Sequence, residues 1–319
     1  MNIQQVRSLC AIIDNDLHMS AAAATLGRSQ PSVSRQIHEL ESELGVRLFD
    51  RRRNKIIGLT PNGAEVVTIA RRLLHEFENL HRLSENADGA QAGSFTLATT
   101  HTQARYTLPP VIQRFRSKFP DVKTILHQGS PIQCFQAVAT GHADFAICTE
   151  VEKIPREMVF VPCCWLSRCV IAPLGHPLVK TKPLTLEAIA RFPIITYGEG
   201  FSGKAVVEKA FREHDLHPSV VMSAVDADVS KAYVELGLGV AILARIAFDR
   251  KRDESLRRLE AAHLFDPSRL GVAVRLNTYL RAYMLAFIEM FAPHLRVEEM
   301  VRAMQGEMCN WDQKKLPIL

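Results

Sequence analysis

Long hydrophobic runs are missing from this sequence of 319 residues, and no apolar stretch approaches the ~20 residues that a bilayer-spanning helix needs. The opening MNIQQVRSLC places polar and basic groups within its first seven residues, unlike a secretory leader, so a cytoplasmic location without a membrane partner is expected. Cysteine is sparse. The seven residues form no C-x-x-C pair and no nearby Cys/His quartet, which points to reduced thiols rather than a disulfide framework or enclosed zinc. The twelve histidines give neither H-x-x-x-H nor H-E-x-x-H, so no metal is expected. A hydrolase nucleophile is missing too: Lys204 stands where G-x-S-x-G around Ser202 needs its last glycine, and Cys163 and Cys164 have no identifiable base.

What remains is an ordinary globular composition, 47% hydrophobic and 23% charged, with a length that suggests roughly two domains at ~150 residues each. The net charge of +5 is modest, so the distribution of cations decides whether a polyanion is a partner. Ile3, Val6, Leu9, Cys10 and Ile13 fall at helical spacing and predict an amphipathic first helix. Ser20 is a candidate N-cap for a short helix over Ala21 to Leu26, ended by Gly27. Ser29 can cap a third helix that carries Pro31 in its first turn. Val33, Ile37, Leu40 and Leu44 would then pack inward. Its other face, starting at Gln30, offers Ser32, Ser34, Arg35 and His38, groups that reach phosphates and base edges when a helix lies in a major groove.

The segment Leu48 to Leu59 has two apolar ends around a basic tip and predicts a hairpin wing, with Arg51, Arg52, Arg53 and Lys55 set to hold phosphates. Thr60-Pro61 opens a helix expected to reach about Ala87. Along it Val66, Ala70, Leu73, Phe77 and Leu80 make a heptad-like seam suited to a second copy of the chain, which would set two reading helices on an inverted repeat. A polar break at Asp88 to Gly93 is a plausible hinge.

Beyond the hinge, strands and helices alternate, which predicts an α/β domain with a mainly parallel sheet. Polar residues gather at strand-to-helix junctions, where such sheets bind ligands. Thr100, Thr102 and Gln103 lie at the first junction, Ser130 at the second, Thr149 at a strand end, and Phe201, Ser202 and Gly203 at a later one. Hydroxyls, backbone N–H groups and helix N-termini could bind a small anion there without a paired cation, although each Ser or Thr also reads as an ordinary N-cap. A chain crossing near Val161-Pro162 and returning around Gly271 to Leu276 implies two lobes.

Two other readings carry weight. Gly198 to Gly203 matches G-x-G-x-x-G after the strand-like Ile194 to Tyr197, with Asp226 downstream, which would suit an NAD(P)-dependent oxidoreductase, but that motif is weak alone. A solute-binding protein would share two lobes but would need an export signal and no basic N-terminal module.

The strings AAAATLGRSQPSVSRQIHELESELGVRLFDR and LTPNG, with ATTHTQARYTLP, HQGSP, ADFAICTE, YGEGFSGK and DADVSKAYVELGLGVAIL further on, resemble the LysR-type transcriptional regulators and, within them, the CysB-like subgroup that regulates sulfur assimilation. The resemblance covers residues 1 to about 300. It implies a winged helix-turn-helix over 1–59, a dimerising linker helix and hinge over 60–92, and a two-lobed periplasmic-binding-protein-like effector domain over 93–300. Lobe I would take about 93–162 and 268–300, lobe II about 163–267, with 301–319 as a tail. It further implies double-stranded promoter DNA and RNA polymerase as partners, a homodimer assembling to a homotetramer, no cofactor, and a small anionic or acetylserine-like effector. Effector binding would fall on Thr100, Thr102, Gln103, Thr149 and Ser202, the last where relatives commonly carry threonine.

Overall fold

The computed structural model describes residues 1–53, 55–85, 92–307 and 316–319, leaving aside the side chains of 75, 78, 79 and 81–85. The chain divides into two compact units, the first built on Met1–Ala90 and the second on Gln91–Ala139 and Ala143–Leu319. Asp88 to Gln91 of the expected hinge lie outside the described residues.

The first unit runs α1 (Ile3–Asp14), α2 (Met19–Thr25), α3 (Gln30–Leu44), β1 (Phe49–Arg52), β2 (Lys55–Leu59) and α4 (Pro61–Glu85). A capping box starts α1: the Gln5 N–H donates to Asn2 Oδ1 at 3.0 Å, and the Asn2 N–H donates to Gln5 Oε1 at 2.8 Å. Leu9, Ile12, Ala22, Val33, Ile37, Leu40 and Leu48 are fully enclosed, so the three helices and the hairpin share one core. Ser20 does not cap α2, which begins two residues earlier than expected, at Met19 after His18. Ser29 occupies the N-cap position of α3, but its hydroxyl makes no capping bond. Leu44, expected inside, is 38% exposed because the helix ends at once in left-handed Gly45.

Thr60 caps α4 as its chemistry predicts, accepting the Gly63 N–H at 2.9 Å. A Cβ on Gly63 would lie 2.0 Å from the Leu48 carbonyl oxygen, so only glycine lets α4 approach the wing this closely. The expected seam along α4 divides. Val66, Val67, Ala70 and Leu74 pack on the core of their own unit. Phe77 sits under the Arg7 guanidinium at 5.7 Å, while Ile69, Leu73 and Leu80 remain exposed.

The second unit continues with β3 (Gly93–Thr99), a π-helical turn (Gln103–Thr107), α5 (Leu108–Lys118), β4 (Val122–Gln128), α6 (Pro131–Ala139), β5 (Phe145–Thr149) and β6 (Met158–Leu166). Then come β7 (Arg168–Pro173), α7 (Leu186–Ala190), β8 (Ile194–Tyr197), α8 (Ser202–Glu213), β9 (Val220–Ala224), α9 (Ala227–Glu235) and β10 (Val240–Ala244). β11 (Leu256–Glu260), β12 (Ser268–Arg275), α10 (Ala282–Phe291) and α11 (Val297–Met304) complete it. Pro109 and Pro110 lack the N–H groups that would continue an α-helix back toward Arg105 and Tyr106, and the Leu108 N–H bonds Gln103 instead.

Two five-stranded sheets form the lobes, in the orders β4-β3-β5-β12-β6 and β11-β7-β10-β8-β9. Both are mixed rather than mainly parallel. β12 runs antiparallel to β5 and β6, and β7 antiparallel to β10 and β11, because strands flanking each crossing must carry the chain back. The first crossing lies at Ser167, beyond the expected Val161-Pro162, since β6 continues to Leu166 in the first lobe. A phenylalanine cluster centred on Phe95, Phe115, Phe145 and Phe287 fills that lobe. Among the described residues no helix is long and apolar enough to cross a membrane.

Candidate functional site

In the first unit, α3 buries Val33, Ile37 and Leu40 and turns Gln30, Arg35 and His38 to solvent, with Ser32 and Ser34 half-buried beside them. Arg51, Arg52 and Arg53 are all exposed at the hairpin. Arg51 differs from the other two, because its guanidinium pairs with Glu41 at 3.4 Å. Glu41 also accepts the Leu48 N–H at 2.8 Å, so one carboxylate on α3 fixes where the wing departs. Arg53, with φ of 47°, makes the turn at the hairpin tip. The six charged or amide-bearing groups therefore lie on α3 and the wing, as a groove-reading helix and a phosphate-holding loop require.

In the second unit, a cavity of about 30 Å³ opens between the two lobes. Thr100, Thr102, Gln103 and Thr149 line it from the first lobe, and Phe201, Ser202 and Gly203 from the second. The strands explain this convergence: β3 and β5 end beside one another, and α8 starts opposite them. The Ser202 hydroxyl donates to Thr149 Oγ1 at 2.9 Å, a bond between lobes. The Thr107 hydroxyl donates to Gln103 Oε1 at 2.6 Å, so the Gln103 amide NH₂ keeps its donor capacity beside the cavity. Phe201 occupies the N-cap position of α8 without a side-chain cap, so the first N–H groups of that helix are open to a ligand acceptor. Ser130 is not among the lining residues; its hydroxyl accepts the Gln133 N–H at 3.3 Å at the start of α6.

Leu166, Arg168, Tyr197 and Ala244 also line the cavity, and sequence reading passes over all four. Arg168 alters the chemistry expected of the site. Its side chain is only 2% exposed, it donates one hydrogen bond to Ser268 Oγ at 2.6 Å, and its Nε has no partner. None of the lining residues is acidic. Burial lowers its pKa from the usual guanidinium value, yet arginine in proteins keeps its proton. The cavity thus holds a positive charge that no carboxylate among the described lining residues balances, where sequence reading expects neutral donors alone. The signal was a cation opening the otherwise apolar strand Arg168-Cys169-Val170-Ile171.

Tyr197 completes the wall. Its phenol accepts the Ala244 N–H at 3.2 Å, and its pKa is raised, chiefly by burial, with a bond from Thr102 of the first lobe acting the other way. A Cβ on Gly203 would meet the Tyr197 ring at 2.5 Å. The last glycine of the G-x-G-x-x-G string therefore serves ring packing.

At the cleft's edge a second set of contacts joins the lobes. Tyr106, on the same π-helical turn as Gln103, donates its hydroxyl proton to Asp228 and accepts from Lys231 Nζ at 2.8 Å. Arg105 pairs with Asp228 at 3.2 Å, and buried Lys231 pairs with Asp253 at 2.9 Å. A single turn thus carries one cavity residue and one inter-lobe latch.

Residues 3–64 match the family described as bacterial regulatory helix-turn-helix protein, lysR family, and residues 88–296 match the LysR substrate binding domain. The HTH-type transcriptional regulator SsuR of Burkholderia cenocepacia is 44% identical over 299 residues, which are 94% of this chain and 97% of that protein. The regulator CysB of Haemophilus influenzae is 41% identical over 295 residues, 92% of this chain and 91% of its own. The crystal structure of the cofactor-binding domain of the Cbl transcriptional regulator aligns with a TM-score of 0.65 at 37% identity, over 70% of this chain and 96% of that one. A polar α3 face with a basic wing in the first unit, an inter-lobe cavity in the second and these matches along the chain lead to one conclusion: the chain belongs to the LysR family of bacterial transcriptional regulators.

Proposed function

We propose that this regulator controls genes of sulfur metabolism, in sulfate assimilation, cysteine biosynthesis or sulfonate use, and that a small sulfur-related anion or an acetylserine held between its lobes sets its activity. Support for the gene class comes from its likeness to SsuR, CysB and Cbl. The observation that carries the ligand class is Arg168, a buried cation that shares the cavity lining with hydroxyls from both lobes and an amide from the first, none of the described lining residues being acidic. An isolated charge in such a place costs several kcal/mol, and an anion bonded to it removes that cost. Thr100, Thr102, Gln103, Thr149 and Ser202 supply further donors, while Phe201 and Gly203 shape the α8 side. An anion touching both lobes binds their closed arrangement best and so shifts the population toward it.

Gln30, Ser32, Ser34, Arg35 and His38 read or position the operator, and Arg51, Arg52 and Arg53 hold its phosphates. Exposed Ile69, Leu73 and Leu80, spaced four and seven apart on α4, suit pairing with a second copy, which gives a homodimer on an inverted repeat and a homotetramer by further pairing. RNA polymerase is the expected downstream partner, in the cytoplasm. The role is one of binding rather than catalysis. The test is a thermal-shift series with sulfate, thiosulfate, O-acetylserine, N-acetylserine and sulfonates on wild type and Thr100→Val. One of these ligands should raise the melting temperature of the wild type and not of the variant, with DNA binding retained; equal stabilisation of both moves the site elsewhere.

A further inference from the structure

The segment after α11 has an ordered end. The Trp165 N–H donates to the Pro317 carbonyl at 2.8 Å, and the Leu319 N–H donates to the Trp165 carbonyl at 2.7 Å. Both the N–H and the hydroxyl of Ser167 donate to Leu319 O, at 2.9 and 2.8 Å. Ile318 pairs in parallel with Trp165, and Leu319 packs on the core of the first lobe. Since β6 is the edge strand of its sheet, residues 317–319 cover, through one parallel bridge, main-chain groups that would otherwise be open.

This edge is also the pivot of the cleft. Ser167 is the single residue between β6 and β7, and its carbonyl accepts the Arg245 N–H at 2.9 Å, just after the end of β10. The next residue is Arg168, whose guanidinium lines the cavity and bonds Ser268 at the start of β12, where the chain re-enters the first lobe. The first crossing therefore meets residues 317–319 one residue before the buried cation, and that cation in turn bonds the residue at which the second crossing enters β12.

We infer that residues 316–319 are a strap across the hinge that positions Arg168 for its anion, with Ser167 and Leu319 as the positioning residues; this rests on the reading of the cavity as an anion site. Bonds on both sides of Ser167 hold the backbone that carries Arg168, so the guanidinium meets the ligand without first being ordered. That saving in conformational freedom appears as affinity. Without the strap, the crossing would sample more conformations and bind anions more weakly.

The experiment compares full-length protein with a chain lacking residues 316–319 and with Ser167→Ala and Ser167→Thr. Amide hydrogen exchange across Trp165 to Arg168, without ligand, should quicken about tenfold or more on deletion while β3 and β5 are unchanged. Sulfate affinity, by calorimetry, should fall about tenfold on deletion and much less when the same deletion is made in Arg168→Lys, since the strap acts through that side chain. Ser167→Ala should lose part of the affinity and Ser167→Thr regain it, which keeps the test decisive if the deletion fails to fold. Unchanged exchange overturns the strap. Faster exchange with unaltered affinity, or an equal loss in both backgrounds, overturns the positioning role. A wild type blind to sulfate, thiosulfate, sulfonates and both acetylserines sinks the cavity reading, and the positioning role with it, while the exchange rates still decide the strap.

Discussion

Replacing Arg168 by methionine should move stability and ligand binding in opposite directions. The guanidinium is enclosed, has one protein partner in Ser268, and faces no acidic lining residue. Exchanging a buried ion for an apolar side chain of similar length is often neutral or stabilising by ~1–4 kcal/mol, because desolvation of the charge disappears. Leaving Ser268 Oγ without its donor takes back ~1 kcal/mol or more. The two leave about 0–3 kcal/mol, so the unliganded variant should melt no lower than wild type and up to about 10 °C higher, since 1 kcal/mol is worth ~2–4 °C in a unit of this size. Binding should collapse. Two charge-assisted hydrogen bonds at ~1.5–3 kcal/mol each exceed 3 kcal/mol, which at ~1.4 kcal/mol per decade is a loss of at least ~100-fold in affinity for sulfate or thiosulfate. Because arginine does not titrate in the working range, wild-type affinity should be flat between about pH 6 and pH 9. Calorimetry and melting curves on the two proteins decide the matter. A variant that melts several degrees lower yet binds the anion as well as wild type refutes the argument, because Arg168 would then be a structural donor and nothing more.

Three other outcomes follow from the same geometry. Arg35→Ala should narrow the gap between operator and random DNA by roughly 1–3 kcal/mol, read as competition in a mobility-shift assay, and an unchanged gap would remove Arg35 from base reading. Arg52→Ala should weaken all duplexes alike and flatten the plot of log affinity against log salt by about one unit; a change in sequence preference instead would contradict its placement on phosphates. Tyr106→Phe should open the latch to Asp228 and Lys231 and lower effector affinity without altering DNA binding, and equal affinity would show that the latch carries no coupling. The Tyr106 pKa is raised to about 12 from 10.0, chiefly by burial and its bond to Asp228. The folded state thus holds the phenolic proton longer than the unfolded one. Its contribution to stability is complete below about pH 10 and drains between 10 and 12, a slope that Tyr106→Phe should lack in pH-dependent melting.

The parts of the molecule governed by local chemistry could be read from sequence. Apolar spacing gave α1 and α3 within a residue or two, Thr60-Pro61 gave the start of α4, and the apolar-basic-apolar order of Leu48 to Leu59 gave the wing. Seven of the eight cavity residues singled out came together because strand-to-helix junctions in such a sheet share one edge. What escaped depends on contacts between distant segments. Arg168 sits in a strand whose neighbours are apolar, and only the tertiary structure reveals that it lines a cavity with no acidic residue in its lining. Nothing in the sequence marks Tyr106, whose partners Asp228 and Lys231 are brought to it by α9 from more than 100 residues away. Ser20 failed as a cap because the helix could start at Met19 without one, and Ser130 failed to reach the cavity because α6 uses its hydroxyl. The last residues, Leu316 to Leu319, have no periodicity to read at all; a sheet edge more than 100 residues away orders them.

The central claim is that α3 and the wing grip duplex DNA while the inter-lobe cavity senses a small anion. Footprinting of the purified protein on promoter fragments at low salt, with and without sulfate, thiosulfate and N-acetylserine, tests it most directly. The account predicts protection of an inverted repeat, a boundary or affinity that shifts with at least one of these ligands, and loss of that shift in Arg168→Met. Equal affinity for promoter and random fragments, unmoved by every ligand, would contradict it.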